Sequence, residues 1–293
     1  MKIIKLILCL GAFAYLLLPS CESDNDTIIN EYKYRMKFSD GLEITENEIF
    51  FYDSTTHFLF LKNNLDLNQE ASGFSVFVNN DVIYSGIFYS CILSTPPPET
   101  FFISDCLLYG QNVIDIGYYP YSIDLRNDPK IINALEESGL LQSGLTCEID
   151  SIHVNSLENS SEVICKITIT NQDMIPYYIL HPNSMGELNF NCYTGGLSFQ
   201  NIDTKSGSFF RWSVLNPDYA NLTMDDFLLL PEKSEVSFTF KSSDYHKMVK
   251  GYYNATFRFC GLKYNVAQFE LIQHNGHIWL GTSISEFDSL KVE

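Results

Sequence analysis

The segment IQHNGHIWLG, residues 272–281, places two imidazoles three residues apart. Asn275-Gly276 is a two-residue hairpin signal, because both residue types accept the positive φ of a tight turn. A hairpin about that turn sets His274 and His277 opposite one another on one side of the ribbon. Such a pair is a weak metal candidate. A metal site needs further ligands, and none lies nearby in sequence. The plainer expectation is an exposed turn pair, with Trp279 either stacked on His277 or packed in a core.

Other patterns of catalysis are missing. The sequence has no Gly-x-Ser-x-Gly elbow, no His-Glu-x-x-His, no phosphate loop and no dinucleotide fingerprint. In GGLSFQ (195–200) a serine follows two glycines, but the second glycine of the elbow is absent. The segment reads as a turn entering a strand. Acidic residues are plentiful, so a carboxylate pair for glycoside hydrolysis has raw material, yet no pair stands out from surface solvation. We therefore assign no catalytic residue and expect no cofactor.

Aromatic residues offer a different chemistry. Tyr118, Tyr119 and Tyr121 surround Pro120, and Tyr177 and Tyr178 follow Pro176. Both groups are expected in loops, where exposed rings can stack on sugar faces or anchor a protein partner. The alternative is local packing beneath the loops. TPPPETFF (95–102) reads as a stiff, extended connecting loop or recognition strip.

The N-terminus speaks to location. Lys2 and Lys5 precede an apolar run, Leu6 to Leu18, that is shorter than the ~20 residues needed to span a bilayer, and Pro19 stops it. This is the layout of a secretory signal peptide over residues 1–20. Leu18-Pro19-Ser20-Cys21 resembles a bacterial lipobox, with Pro19 in place of the usual small residue. The resemblance implies cleavage before Cys21 and its acylation, and so a membrane partner reached through N-terminal acyl chains.

The acidic tract Glu22-Ser23-Asp24-Asn25-Asp26 reads as a solvated tether over 21–30. It also resembles the surface-export signal of Bacteroidota lipoproteins. Asp26-Thr27-Ile28, Asp53-Ser54-Thr55, Asp150-Ser151-Ile152 and Asp288-Ser289-Leu290 resemble the three-residue O-glycosylation motif of that phylum. They imply Thr27, Ser54, Ser151 and Ser289 as acceptors. FYDSTTHFLFLK (51–62), DLRNDPKIINAL (124–135) and CYTGGL (192–197) are similar to segments of uncharacterised Bacteroidota lipoproteins, a resemblance that transfers location and no activity. The implied localisation is the outer membrane, lipid-anchored, at the cell surface.

Removing residues 1–20, which carry two lysines and no acid, takes the formal charge from −18 to −20. A chain so acidic repels nucleic acid and anionic membrane surfaces, so attachment falls to the lipid. Cys9 leaves with the signal peptide and Cys21 is acylated. Among the remaining six, Cys91 and Cys106 flank the proline run and are the disulfide candidate that an exported compartment permits. No Cys/His metal spacing occurs.

The elements behind these sites are mainly β. Residues 31–142 are expected to form a β-rich α+β domain. Its strand-like runs are 48–52 and 57–62 about a polar turn, 73–78 and 82–89 about Asn79-Asn80-Asp81, and 113–118. One helix is expected near 128–138, with Asp128 as cap, Pro129 in the first turn, Ile131, Ile132 and Leu135 on one face and Gly139 as the stop.

Residues 143–293 read as a β-sandwich of short strands between turn signals. Val163, Cys165, Ile167 and Ile169 share one face, and Tyr253, Ala255, Phe257 and Phe259 share another. GYYNATFRF (251–259) resembles the penultimate strand of immunoglobulin-like domains. That implies Tyr253 as a tyrosine-corner residue, and Ala255 where the family carries its second disulfide cysteine.

Two function classes follow. One is a non-enzymatic, lipid-anchored envelope protein that acts as a cell-surface binding module for a glycan or a protein. The other is a lipid-anchored hydrolase of extracellular polymers, with a structural envelope subunit as a third role. The missing catalytic motifs favour the first.

Overall fold

The computed structural model describes residues 33–65, 72–90, 93, 95–104, 109–185, 196–208, 220–262, 269–273 and 275–293. The signal peptide, Cys21, the acidic tether, Thr27, Cys91, Cys106, Cys192 and His274 lie outside the described residues. Residues 32–293 belong to one compact unit. The protein is mainly β, with one α-helix among the described residues.

The first nine strands are β1 (Tyr34–Phe38), β2 (Glu43–Thr45), β3 (Ile49–Asp53), β4 (Phe58–Leu61), β5 (Gly73–Val78), β6 (Asp81–Tyr89), β7 (Phe101–Ser104), β8 (Val113–Tyr118) and β9 (Leu141–Gln142). They form one sheet in the order β2-β1-β5-β6-β7-β8-β4-β3-β9. The pairs β6–β7 and β3–β9 are parallel. The helix α1 (Pro129–Glu137) precedes β9 and touches β1, β5 and β9, which lie toward opposite ends of that order. The sheet therefore curls around the helix.

The helix begins as its sequence dictates. The Asp128 carboxylate accepts from Lys130 N at 2.8 Å, Pro129 opens the first turn, and Gly139 takes φ 67° beyond the last turn. Ile131, Ala134 and Leu135 are buried in the core it shares with the sheet.

Strand β4 has no solvent face. All four residues of FLFL are buried. Leu59 and Leu61 pack into the helix-side core, while Phe58 and Phe60 pack into the second core with Phe51 and Val113. A strand covered on both faces carries a continuous apolar run instead of an alternating one.

The remaining strands are β10 (Leu145–Ser156), β11 (Ser160–Asn171), β12 (Tyr177–Leu180), β13 (Gly196–Asn201), β14 (Gly207–Ser208), β15 (Phe227–Leu230), β16 (Glu235–His246), β17 (Gly251–Cys260), β18 (Ile272–Gln273), β19 (Gly276–Ile278) and β20 (Thr282–Val292). They form sheets β10-β11-β16, β14-β13-β17-β20 and β15-β12-β19-β18. The first two supply side chains to one core, as the sequence expects of a sandwich. Val163, Cys165, Ile167 and Ile169 of β11 face Tyr253, Ala255, Phe257 and Phe259 of β17 within one core. Cys147 N and Ile149 N, on the free edge of β10, donate to the hydroxyls of Ser283 and Ser285 at 2.8 and 3.0 Å. Those bonds close the sandwich along one side.

The tyrosine corner forms. Tyr253 Oη donates to Val249 O at 2.9 Å, and Ala255 is fully buried. Cys147 and Cys165 are buried free thiols, and burial pushes Cys165 up to about 12. Among the described residues, no helix is long and apolar enough to cross a membrane.

The position expected to divide the chain, near residue 142, falls at β9. Packing runs across it, because β3, β4 and β8 supply side chains to both cores. Phe60→Ala should therefore destabilise the whole unit by about 3–5 kcal/mol in one transition. Urea unfolding followed by far-UV circular dichroism and tryptophan fluorescence checks this. Two separated transitions in the variant would show that the cores do not share a wall.

Candidate functional site

The sequence-derived candidates separate into two places. Tyr118, expected in a loop, is the last residue of β8, and Tyr119 and Tyr121 follow it on the surface loop beyond. Tyr177 and His277 come together in the interior.

The surface loop is tightly held. Tyr119 N donates to Thr100 O and Tyr121 N donates to Tyr119 O, each at 2.7 Å. Tyr118 Oη donates to Ser122 O at 2.6 Å. Arg126 lies over the Tyr118 ring at 5.1 Å, grips Asp124 through Nε and Nη2 at 2.9 and 2.7 Å, and donates from Nη1 to Ile116 O at 2.8 Å. From the β3 side, Tyr52 Oη donates to Arg126 O at 3.0 Å, and Asn127 Nδ2 donates to Ser54 O at 3.1 Å.

Tyr118 is thus a support, with both its ring and its hydroxyl engaged. Tyr119 and Tyr121 are what the loop displays, their ring centres 4.7 Å apart and tilted by 45°. Tyr121 is 55% exposed, and Ile123 beside it is 79% exposed. Ile123 escaped the sequence reading. Its signal was an aliphatic residue flanked by Ser122 and Asp124 in the run YSIDLRND. The loop offers two rings and a branched alkyl group on a backbone that is already ordered. Binding there loses little conformational entropy.

Tyr177 and His277 are not where their sequence neighbours implied. Tyr177 and Tyr178 lie in strand β12, with Tyr177 fully buried and Tyr178 half-buried. Neither is a loop aromatic. The hairpin around residue 275 also has a different register from the one expected. Ile272 pairs with His277 and Gln273 with Gly276, so His277 has Ile272 as its cross-strand partner; His274 lies outside the described residues. Gly276 serves close approach: a Cβ there would stand 2.4 Å from Pro176 O, and φ is +153°. This contact lets β19 pair in parallel with β12, and that pairing buries His277.

The interior residues form a polar knot. His277, 2% exposed, is enclosed by the rings of Phe51, Tyr177 and Phe60 at 4.5, 4.4 and 5.9 Å. Its Nε2 lies 2.8 Å from Gln142 Oε1, so that nitrogen carries the proton. Tyr177 Oη donates to Asp173 and lies 3.4 Å from Gln142 Oε1. The Asp173 carboxylate also accepts from Ser143 N at 3.0 Å and Gly144 N at 2.8 Å. Burial, with Asp173 adding to it, holds the Tyr177 hydroxyl protonated far above the ordinary range. Trp279 stacks on Phe259 at 4.8 Å in the same core.

His277 and Tyr177 are buried, Asp173 is half-buried, and His277 Nε2 and the Tyr177 hydroxyl are engaged by Gln142 and Asp173. Among the described residues, no group of three or more His, Cys, Asp or Glu side chains is placed to hold a metal ion. The acceptor-motif serines differ in setting. Ser54 is half-buried and its hydroxyl donates to Gln142 O at 3.0 Å. Ser151 follows a register shift in β10, and Ser289 is exposed in β20 at φ 60°.

A scan of the sequence against protein-family models finds no match, and a search of curated proteins finds none.

The knot sets a pH dependence. Burial lowers His277 from 6.5 to about 3. Between those values the unfolded chain binds a proton at His277 that the folded chain refuses. Stability therefore rises with pH through this window and falls on acidification. His57 is lowered to about 4, by burial and then by Arg126, and acts in the same direction. Asp53, raised by burial, opposes them at the acid end. His277→Gln should flatten the slope of unfolding free energy against pH between about 4 and 6.5, by up to one proton per molecule. Urea titrations at stepped pH measure it, and an unchanged slope would show that His277 is not buried neutral.

Proposed function

We propose that this chain is a non-enzymatic, lipid-anchored protein of the bacterial outer membrane. It faces the cell surface and binds a glycan or a protein. The observation that carries the reading is the loop at 118–123, which displays Tyr119, Tyr121 and Ile123 from a backbone fixed by Thr100, Arg126 and Tyr52. Tyr121 is exposed and Tyr119 half-buried beside it, and ordered surface aromatics are among the groups that dominate recognition energetics. The strongly acidic surface removes nucleic acid and anionic membranes as partners, and acyl chains at Cys21 supply the attachment.

The test uses the full-length chain in detergent micelles, probed with an oligosaccharide panel and with extracellular-matrix and envelope proteins. Tyr119→Ala combined with Tyr121→Ala should weaken capture of the bound probe by about 2 kcal/mol or more, roughly thirtyfold, with the thermal midpoint unchanged. Capture that ignores both substitutions would move the site away from this loop. Release of reducing ends from a polysaccharide would replace the reading with hydrolysis.

Location has its own check. Cys21→Ala should abolish incorporation of radiolabelled fatty acid and release the chain from the membrane fraction. Label persisting on the variant would remove the anchor from the proposal.

A further inference from the structure

The outer face of the β14-β13-β17-β20 sheet carries a second surface that the tyrosine loop does not use. Period-two alternation turns Leu197, Phe199, Tyr253, Ala255 and Phe257 inward. The opposite parity sends polar side chains outward. Gln200, Lys205, Asn254, Thr256, Glu286 and Asp288 line a groove there of about 450 Å³, within the roughly 300–1,000 Å³ typical of ligand sites.

A bulge shapes one wall. The register moves from Tyr253↔Leu290 to Ala255↔Phe287, so Asp288 and Ser289 together stand against Asn254. Ser289 takes φ 60°, and both residues are exposed. A bulge bends its strand and re-aims side chains, here carrying Asp288 toward Asn254 while Leu290 returns to the core.

The chemistry of the lining is mixed. Gln200 Nε2 donates to Lys205 O and Asn254 Oδ1 accepts from Ser289 N, each at 3.5 Å, which leaves the Gln200 carbonyl and the Asn254 amide donor facing the groove; Glu286 and Asp288 accept, and Lys205 donates. Among the described residues, Lys205, Glu286 and Asp288 enter no ion pair, whereas Lys291 at the end of the same strand is bound to Glu293 at 2.6 Å. Hydroxyl groups, each both donor and acceptor, satisfy such a lining without bringing charge. Two carboxylates against one ammonium, on a chain of net charge −18, disfavour an anionic ligand. Tyr252 is 50% exposed and precedes Asn254 by two residues on the same face. Its ring, on the same face of the sheet, is an apolar surface suited to the C–H face of a sugar.

We propose that this groove binds a neutral saccharide. The inference goes beyond the binding reading above, because it does not depend on the tyrosine loop.

The test uses the full-length chain in detergent micelles on a printed panel of neutral hexose and N-acetylhexosamine oligosaccharides, with uronic-acid oligosaccharides as the anionic arm. The native protein should retain neutral oligosaccharides in preference to anionic ones. Gln200→Ala and Asn254→Ala should each weaken retention roughly tenfold, about 1.4 kcal/mol, with thermal midpoints unchanged. Tyr119→Ala with Tyr121→Ala should leave it intact.

No retention of neutral oligosaccharides at about 1 mM, the weak end of specific binding, would overturn the proposal, as would preference for the anionic arm. Retention lost with the loop tyrosines but not with Gln200 or Asn254 would also overturn it. That result would leave the binding-module reading standing, with the sugar at the loop. A protein ligand captured through the loop alone would likewise keep that reading and end this one.

Discussion

The hydrogen bond from His277 to Gln142, with Tyr177 and Asp173 beside it, is the constraint on which the rest of the structure depends. Gln142 ends the curled sheet, and Ser143 and Gly144 lead directly into the first strand of the sandwich. Asp173 binds the N–H groups of those two residues. Gln142 itself accepts from His277 through its side chain and from Ser54 through its backbone carbonyl. The chain therefore passes from one sheet system to the other through a point held by polar contacts, buried at His277 and nearer the surface at Asp173. Buried polar groups carry a high desolvation cost when unpaired. Loss of one partner here would expose the others to that cost.

The knot sits on the aromatic wall formed by Phe51 and Phe60. Those rings belong to strands whose other faces pack against the helix-side core. One wall thus serves two cores, and β4 is buried on both sides to do so. The rigidity passes outward along β8, which pairs with β4 and ends at Tyr118. Arg126 and Tyr52 then fix the loop that displays Tyr119 and Tyr121. A surface loop is ordinarily among the least stable parts of a fold. This one is braced from the doubly buried strands, which suits a preformed recognition surface.

Two features of the surface belong to different levels of organisation. The tyrosine loop is a local structure held by side-chain contacts. The polar groove is a property of sheet alternation, with one β-bulge bringing Asp288 and Ser289 opposite Asn254. The His277 imidazole, the Tyr177 phenol and the Cys165 thiol, all with strongly shifted protonation, lie inside the protein, whereas the shifted His57 imidazole is half-buried.

Several features were legible in the sequence because their causes are local. The helix at Pro129–Glu137 follows from its Asp128 cap, its proline and its glycine stop. The strands of the β5–β6 hairpin and of β11 and β17 follow from alternation, and Tyr253 could be placed because its hydrogen bond closes four residues away. The chain's acidity and the pattern at Cys21 are likewise properties of sequence. Tertiary structure alone decided that Tyr177 and His277 are buried. Their strands pair across a separation of 100 residues, and the register of that pairing depends on a close approach of Gly276 to Pro176. It also decided that FLFL would be covered on both faces and that Ile123 would stand exposed. Short-range periodicity encodes which side of a strand is apolar. Which other strand covers it is set by packing between distant segments, which no local pattern carries.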